Sequence, residues 1–524
     1  MASIFSPRTD RQVPTGILLA IACVAQFMVV LDVSVVNVAL PSIGRDLHYS
    51  ATGLQWVVNA YVLTFAGFLL LGGRAADLFG RRRVFLFGLG LFVGASLLGG
   101  LAQSSAQLTA ARALQGLGGA VLSPATLTII VTTYPREKVT RALGVWSAMA
   151  AGGGAAGSVL GGVLTSELSW RWVLFINVPI GLALGVAAYA FLADARLPTP
   201  PKRLDVAGAI TVTAGLAALV YAIVNTDTHP WGSAETLGVL AVAVILLGAF
   251  FVLELRVASE PLMPMRLFRL RSVTGSNLVM LPIGAAFFSM WYFLSLYLQN
   301  VLHYSPLRAG LAFLPMALTI IVGAQLSARL VSRIGVRSML VIGTIVATAG
   351  YVWLSRIGPD STYWSAVFGA GCLTSFSLGL LFTPLARGAT ADVAPQEAGL
   401  ASGLLNTSRQ VGGSIGLAAL ATVATDHTKS LLAGGQSTPA ASLTAGYARA
   451  FEVAAILTAL GCLAAFLVPR TIGKLDLPVA RPATADGGAA EPDAAVSTAS
   501  AASDGDRPAA TEAVERGDLG FESA

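Results

Sequence analysis

The sequence predicts an all-α polytopic membrane protein built from two six-helix bundles in a parallel repeat, with two extra membrane helices inserted between them. Three observations predict this fold. The 524 residues are 55% hydrophobic and only 11% charged, with a mean hydropathy of +0.73, whereas soluble domains carry about 25% charged residues. Apolar runs long enough to cross a bilayer recur along the chain. The two halves of the chain also match at one constant offset.

We count fourteen apolar segments, each close to the roughly 20 residues that a helix needs to cross a membrane. The first six lie at 15–40, 54–73, 84–103, 106–133, 142–165 and 171–193. Two more follow at 205–225 and 236–254. The last six lie at 273–298, 308–328, 337–355, 362–386, 399–424 and 447–468. This predicts an N-terminal bundle at 15–193, two extra helices with flanking linkers at 194–272, and a C-terminal bundle at 273–470.

The placement of lysine and arginine orients these spans. With the N-terminus inside, most of the 33 Lys and Arg fall in cytoplasmic segments, as the positive-inside rule requires. Both termini are therefore predicted in the cytoplasm. Residues 1–14 form a short polar segment, and 471–524 form a tail rich in Ala, Pro, Ser, Asp and Glu that we expect to be disordered. The excess of basic residues follows from the membrane topology, so no nucleic-acid partner is implied.

Short matches link the two halves at an offset of 255 residues. The matching pairs are Leu47–Ser50 with Leu302–Ser305, Gly80 with Gly335, Arg82 with Arg337, Gly157 with Gly412, and Gly161 with Gly416. The offset covers six spans plus two, so equivalent spans share one orientation and the two extra spans are an insertion. Parallel repeats are typical of secondary transporters, whose substrate site lies between the halves. A duplicated scaffold without transport is the alternative.

A carboxylate lies inside the first span. Asp32 follows an apolar run from Ile17 to Leu31, and Pro41 comes near the end of the span. An ionisable side chain within a span costs a few kcal/mol on insertion scales, so Asp32 is a functional-site candidate by default. The other Asp and Glu residues lie in loops, at span ends or in the tail, apart from Glu452 just inside the last span. A structural Asp that hydrogen-bonds a neighbouring helix is the alternative.

Arg112 lies in the fourth span, three residues before Gln115. Helix rise puts Arg112 about 10 Å and Asp32 about 12 Å below the outer surface, so the two side chains are predicted to be able to pair. Burial favours the neutral carboxyl and a nearby guanidinium favours the carboxylate, a balance that would let Asp32 bind and release a proton. The alternative is that Arg112 bonds backbone carbonyls as a structural residue.

Residues Gly73–Arg83 are predicted to form the cytoplasmic loop between spans 2 and 3. The residues predicted to gate that side are Gly73, Asp77, Gly80, Arg81 and Arg82. Glycines allow a tight turn, and an acid among arginines can form a charge cluster that locks the cytoplasmic side of the bundles. A basic loop that only sets topology is the alternative. The second copy has Ser332 in place of Asp77, which predicts an asymmetric lock.

Span 5 carries Gly153, Gly157, Gly161 and Gly162. Glycine at every fourth residue makes a smooth stripe that lets helices approach closely, so these residues are predicted to pack helices.

Polar side chains in several spans are predicted to line a substrate cavity. They are Asn37, Trp56, Asn59, Tyr61, Gln115, Asn406, Arg409 and Gln410. Helix rise puts Arg409 near mid-depth. A polar cluster at that depth either lines a cavity or cross-links helices, and both readings stay open. An interfacial aromatic role is the alternative for Trp56.

Together the embedded Asp32, the Gly73–Arg83 segment, the Arg112 motif, the span-5 glycines and the fourteen-span layout resemble the fourteen-helix drug:proton antiporters of the major facilitator superfamily, the QacA/EmrB type. The resemblance covers about residues 15–470. It implies the major facilitator fold and proton-driven efflux of lipophilic drugs or antibiotics across the bacterial cytoplasmic (inner) membrane. It also implies that Asp32 is the proton-coupling carboxylate and Arg112 its relay. One departure is Ser158, where the antiporter motif of this superfamily normally has proline.

The expected partners are a small lipophilic substrate, protons and the lipid bilayer. With few membrane acids, we expect neutral or weakly cationic substrates. A proton-driven importer of a small metabolite with the same fold is the main alternative, and a non-transporting membrane sensor is a further one. The sequence has no P-loop, no HExxH motif and no paired membrane carboxylates, so neither an enzyme nor a metal or organic cofactor is implied.

Overall fold

The computed structural model describes residues 15–192, 204–226, 228–258, 261–394, 397–435 and 438–470, except for the side chains of Asp77, Arg136, Glu137 and Thr140. The predicted N-terminal segment 1–14, most of the linker before the seventh span and the predicted tail 471–524 lie outside the described residues. The described residues form helices and connecting turns with no strand, which confirms the predicted all-α class.

Fourteen long helices run along the described part of the chain. The first six are α1 (Thr15–Asp46), α2 (Trp56–Phe79), α3 (Arg81–Gly100), α4 (Ser105–Thr133), α5 (Arg136–Glu167) and α6 (Asn177–Phe191). The next two are α7 (Val206–Asn225) and α8 (Ala234–Val252). The last six are α9 (Arg271–Leu296), α10 (Leu314–Ile334), α11 (Val336–Leu354), α12 (Gly369–Thr390), α13 (Ala398–Ala433) and α14 (Pro439–Ala465).

Short helical turns extend several of these helices. They are Gly53–Gln55 before α2, Trp172–Phe175 before α6, Leu253–Val257 after α8, Met265–Arg269 before α9, Tyr297–Val301 after α9, Pro306–Ala312 before α10, and Tyr363–Phe368 before α12.

Thirteen helical segments in the described residues are long and apolar enough to cross a membrane. The remaining predicted span, 399–424, is the 36-residue helix α13, whose polar stretch Asn406–Gln410 lowers its apolar character. It packs against α2, α9 and α14 as a member of the helical assembly. The predicted number of fourteen helices is therefore confirmed. Thirteen of them are long and apolar enough to be membrane spans.

The backbone repeats at the same offset as the sequence. His48 and His303 are the non-glycine residues of the described chain with positive φ, at 54° and 55°. Gly80 and Gly335 have φ of 93° and 85° and separate α2 from α3 and α10 from α11. Residues other than glycine rarely adopt positive φ. Two such matches at the offset of 255 residues therefore show that the two halves share turn geometry as well as sequence.

The prediction of a cytoplasmic loop over Gly73–Arg83 was wrong in extent. Helix α2 continues to Phe79 and α3 begins at Arg81, so only Gly80 lies outside both helices. One glycine suffices because it adopts positive φ at no steric cost. Gly73 is helical and has room for a side chain, since a Cβ there would lie 3.6 Å from Pro124 Cβ. The predicted charge lock stays a prediction because the Asp77 side chain lies outside the described set.

Helix α5 packs along α1 through the glycine stripe. A Cβ atom added to each glycine would lie 2.7 Å from Phe27 O (Gly153), 2.7 Å from Ser34 Cβ (Gly157) and 2.8 Å from Val35 O (Gly161). Contacts shorter than 3.0 Å are essentially never seen for a real Cβ. The close approach of the two helices therefore depends on glycine at these positions.

Two neighbours of the stripe make different contacts. A Cβ on Gly162 would lie 2.7 Å from Leu307 Cα, so this glycine faces the second half of the chain. Ser158 lies 3.0 Å from Ser34, oxygen to oxygen, and Ser34 Oγ donates a hydrogen bond to Gly154 O at 2.7 Å. The serine that replaces the expected proline thus belongs to a polar contact between α1 and α5.

The outer end of α1 also contacts the second half. Ser295 Oγ donates to Asn37 O at 2.6 Å, and Gln299 Nε2 donates to Val38 O at 2.9 Å. The Asn37 amide itself donates to Val33 O within α1 at 3.0 Å. Residue Asn37 therefore joins the two halves through its backbone.

Helix α7 lies against both halves. Its Val220 is buried in a cluster with Leu63 of α2 and Ala418 of α13. Thr422 Oγ1 of α13 donates to Ile223 O of α7 at 3.2 Å. Helix α8 packs on α7. The inserted pair is thus attached to the line where α2 meets α13.

Replacing Gly157 with alanine should destabilise the protein by about 1–3 kcal/mol, because the new methyl group overpacks the contact with α1. The measurement is the apparent melting temperature of the detergent-purified protein. The matched control is Gly152→Ala on the same helix, where a Cβ meets nothing within 4 Å. The control should be as stable as the original chain or slightly more stable. Equal melting temperatures for the two variants would contradict the packing argument.

Candidate functional site

Asp32 lies in the middle of α1 and points into the first six helices. The face of α1 that carries Ser34 and Val35 is held against α5 by the glycine stripe. Asp32 itself turns toward α4 and α6, where it forms hydrogen bonds. Its side chain is completely buried, with 0% exposure. Packing of α5 against one side of α1 therefore directs the carboxylate into the helical interior.

Arg112 of α4 forms an ion pair with Asp32. Arg112 Nη1 lies 2.6 Å from Asp32 Oδ2, and the two side chains are 2% and 0% exposed. Arg112 Nε donates to Val57 O of α2 at 3.0 Å. The guanidinium carbon lies 4.5 Å from the centre of the Tyr61 ring, a cation–π distance. The structure thus brings together two side chains that the sequence placed only at similar depth.

Two amides complete the surroundings of the carboxylate. Gln115 Nε2 and Asn177 Nδ2 donate to Asp32 Oδ1 at 2.7 and 2.8 Å. The same two nitrogens lie 3.1 and 3.0 Å from Ser96 Oγ, and Ser96 Oγ donates to Leu174 O at 2.9 Å. All four polar residues are at most 1% exposed. Helices α1, α3, α4 and α6 therefore meet at one hydrogen-bonded centre.

Sequence reasoning missed Asn177 and Ser96. The signal that identifies them is modest: each is a small polar residue in an otherwise apolar span. Their role depends on which helix faces they occupy, and hydropathy does not give that. The centre is thus larger than the predicted pair of Asp32 and Arg112.

The enclosure determines what the centre can do. Neither charge is in contact with solvent, so each depends on the other and on the surrounding donors for stabilisation. Asp32 Oδ2 receives the charged donor, whereas Oδ1 receives two neutral amides. Protonation of the carboxyl would replace the ion pair by a hydrogen bond between a cationic guanidinium and a neutral carboxyl, and Arg112 would lose its counter-charge. Such a change weakens the attraction between α1 and α4.

The structure separates the other predicted cavity residues into different places. Tyr61 and Gln115 lie with the ion pair. Asn59 is fully buried and accepts a hydrogen bond from Ser414 Oγ of α13 at 3.3 Å. The Trp56 ring lies 6.5 Å from the Tyr221 ring of α7. These two residues thus lie where α2 meets α13 and α7.

Asn406, Arg409 and Gln410 lie in the second half of the chain on α13. Arg409 Nη2 donates to Asn406 Oδ1 at 2.8 Å, and Gln410 is 5% exposed. An apolar cavity of about 340 Å³ lies elsewhere, between α1 and α6, and none of the predicted site residues lines it.

The described members of the predicted gating set make contacts within the first six helices. Arg81 Nη1 donates to Thr132 Oγ1 at the end of α4 at 2.6 Å. The Arg82 guanidinium lies 4.7 Å from the centre of the Tyr189 ring of α6. These two arginines tie the start of α3 to its neighbours. A lock across the two halves therefore stays a prediction.

The described residues contain no group of three or more His, Cys, Asp or Glu side chains that could hold a metal ion.

Comparison with protein families gives one match that covers most of the chain. The family model described as Major Facilitator Superfamily matches residues 22–417.

Several curated proteins are similar over most of their length. The cephamycin export protein CmcT of Amycolatopsis lactamdurans is 47% identical over 421 residues, covering 79% of this chain and 86% of the relative. The puromycin resistance protein pur8 of Streptomyces alboniger is 42% identical over 449 residues, covering 84% and 88%. The tetracenomycin C resistance and export protein of Streptomyces glaucescens is 38% identical over 411 residues, covering 78% and 75%.

Solved structures with low sequence identity share the fold. A bacterial homologue of the human lysosomal transporter Spinster, in an inward-facing and unoccupied conformation, has a TM-score of 0.62 at 16% identity, covering 88% of this chain and 98% of that one. An auto-inhibited peptide transporter of the POT family has a TM-score of 0.65 at 15% identity, with the same coverage. At this identity the likeness concerns the fold alone.

Replacing Arg112 with glutamine should destabilise the protein by about 3–5 kcal/mol, because it leaves Asp32 buried without its cation. The double variant Asp32→Asn with Arg112→Gln removes both charges and should recover much of this loss. The measurement is again the apparent melting temperature in detergent.

The control for this cycle is the exposed pair of Arg171 and Asp46, whose side chains are 31% and 47% exposed. Arg171→Gln should cost at most about 1 kcal/mol, because solvent screens exposed ion pairs. If the double variant were no more stable than Arg112→Gln, the two charges would not depend on each other.

Proposed function

Because this chain belongs to the major facilitator superfamily, we propose that it is a proton-coupled antiporter that exports small lipophilic antibiotics or other drugs. It is a multi-pass membrane protein and a transporter, not an enzyme. We place it in the bacterial cytoplasmic (inner) membrane with both termini in the cytoplasm. The proton gradient drives it, and no metal or organic cofactor is needed.

The relatives support the export direction and the substrate class. Three proteins that are 38–47% identical carry names of antibiotic export or resistance, for cephamycin, puromycin and tetracenomycin C. Their named antibiotics differ, so the shared feature is export of an antibiotic or resistance to one, rather than one chemical structure. For this chain, we infer a substrate of the same general kind.

The observation that carries the coupling proposal is the sealed ion pair between Asp32 and Arg112. A proton-driven transporter needs a group that takes up a proton on one side and releases it on the other. A fully buried carboxylate cannot exchange protons with water until the helices around it move. Proton exchange at Asp32 is thereby tied to a conformational change, which is the requirement for coupling.

The helix that carries Asp32 also reaches the second half of the chain. Asn37 lies five residues beyond Asp32, about 7.5 Å along α1, and its carbonyl accepts the hydrogen bond from Ser295. Protonation weakens the attraction of α1 for α4, and any resulting shift of α1 acts directly on this contact between the halves. Deprotonated Asp32 holds α1 in the arrangement described here, and protonation favours its release. We infer that Arg112 acts as the relay, since it also donates to Gln115 Oε1 at 2.7 Å and to Val57 O at 3.0 Å, and neither bond involves Asp32.

Replacing Asp32 with asparagine should abolish proton-driven transport, because an amide does not bind and release a proton as a carboxyl group does. A panel of antibiotics and dyes first shows which compounds the cells export. The assay is then accumulation of such a compound in everted membrane vesicles with an imposed pH gradient. Exchange of labelled for unlabelled drug without a gradient should persist. This second readout separates loss of coupling from loss of binding.

Asp46→Asn is the matched control, since Asp46 is an exposed carboxylate at the end of the same helix. It should support transport near the original rate. Full gradient-driven accumulation by Asp32→Asn would refute the coupling role of Asp32.

The direction of transport has its own test. In everted vesicles acidified inside, addition of an exported drug should release protons and raise the internal pH, because the antiporter exchanges external drug for internal protons. A pH-sensitive dye reports the change. Drug-induced proton movement in the opposite sense would favour the importer that the sequence left open.

A further inference from the structure

A second arginine lies inside the helical assembly, and among the described residues it forms no ion pair with an acid. Arg409 of α13 lies 11 residues beyond Ala398, about 16 Å along the helix. Arg409 Nη2 donates to Asn406 Oδ1 at 2.8 Å, and the guanidinium carbon lies 5.9 Å from the centre of the Phe382 ring. Arg409 Nε has no hydrogen-bond partner among the described residues. The charge is thus held only by a neutral amide and an aromatic ring.

The acids nearest along α13 are too far away to neutralise Arg409. Glu397 and Asp426 lie 12 and 17 residues away, roughly 18 and 25 Å along the helix axis. Glu397 is paired with Arg266. None of the ion pairs found among the described residues includes Arg409. A cation at this depth is expensive without an anionic partner, so it points to function.

Arg409 differs from Arg112 in burial and in pairing. Arg112 is 2% exposed and paired with a carboxylate, whereas Arg409 is only partly buried. The Arg409 side chain therefore keeps some surface that a bound molecule can contact. Gln410, next to Arg409, is 5% exposed, and its side-chain oxygen has no hydrogen-bond partner in the described residues. Two adjacent side chains of α13 therefore hold buried polar atoms that have no hydrogen-bond partner in the described residues.

Arg409 also lies at the right place along α13 for contact with a transported compound. The helix meets α2 on both sides of it. A Cβ on Gly403 would lie 2.6 Å from Leu70 Cδ2, and Ser414 Oγ donates to Asn59. Arg409 falls between these two contacts along the sequence. In secondary transporters built from two repeats, substrate binds near the midplane between the halves.

We propose that Arg409 binds a carboxylate, or another anionic group, on the transported compound. This inference rests on the proposed function of the chain as a transporter and names the chemical class of its substrate. A guanidinium suits this ligand because its planar fork donates two parallel hydrogen bonds to a carboxylate. The Phe382 ring supplies an apolar surface beside the charge. The preferred compound is therefore lipophilic with one anionic group.

This assignment revises the expectation of neutral or weakly cationic substrates. That expectation was based on the small number of acids in the membrane spans. The structure encloses Asp32 behind three donors, whereas Arg409 keeps some exposure and forms no ion pair among the described residues. The accessible charge decides which sign of ligand is attracted.

The test uses three fluorescent probes of matched size: pyrenebutyrate, its neutral methyl ester, and the cation pyrenebutylamine. Each is titrated into the purified full-length protein in lipid nanodiscs, and saturable energy transfer from tryptophan to pyrene reports binding. The original chain should bind pyrenebutyrate at least about tenfold more tightly than either other probe. Arg409→Gln should lose that preference, because it removes the charge that selects the anion. Arg409→Lys keeps the charge and should retain most of it.

Arg387→Gln is the matched control, since Arg387 is an exposed arginine in the last turn of α12. It should bind all three probes as the original chain does. Equal binding of the three probes by the original chain would overturn the proposal, as would absence of saturable binding of pyrenebutyrate. Retained preference in Arg409→Gln would overturn it as well.

The binding test needs no proton gradient, so it fails or succeeds independently of the coupling proposal. If the anion preference depends on Arg409 while no antibiotic is exported by cells, the exporter proposal falls and the anion site stands. If export is intact while the probes show no preference, the anion site falls and the exporter proposal stands.

Discussion

The arrangement of the first helices depends on stabilising two opposite charges that are buried away from water. Asp32 and Arg112 are both almost fully buried, and the cost of isolating either one is several kcal/mol. Each surrounding helix contributes a group that lowers this cost. Helix α2 provides a carbonyl and an aromatic face, α3 a hydroxyl, and α4 and α6 an amide each. One centre therefore fixes the positions of α1, α2, α3, α4 and α6 relative to one another.

Small residues make this convergence possible. Glycines on α5 let α1 approach closely, with backbone atoms of α1 facing Gly153 and Gly161, and this leaves the face with Asp32 directed toward α4 and α6. Small residues also form two of the turns between helices. One residue of positive φ joins α2 to α3 and its counterpart joins α10 to α11, so adjacent helices stay nearly continuous.

The two halves share a backbone plan but differ in their charges. The first half contains a matched ion pair closed to solvent, whereas the second half contains an arginine whose partners are neutral. A closed pair suits a group whose charge must change only when helices move. An unmatched and partly exposed cation suits a ligand that arrives and leaves. The proposed division between proton coupling in one half and substrate recognition in the other follows from this difference in burial.

The sequence alone determined the all-α membrane class, the repeat at a constant offset and the candidate status of Asp32 and Arg112. Each of these depends on residue type, order and helix rise, which can be read along one dimension. The tertiary structure alone decided that Asp32 and Arg112 touch, that Asn177 and Ser96 join them, and that the Gly73–Arg83 segment is nearly all helix. It also separated Asn59 and Arg409 from the ion pair. These facts depend on the rotation of each helix about its axis, which hydropathy cannot give because polar and apolar faces of a buried membrane helix differ by only a few residues.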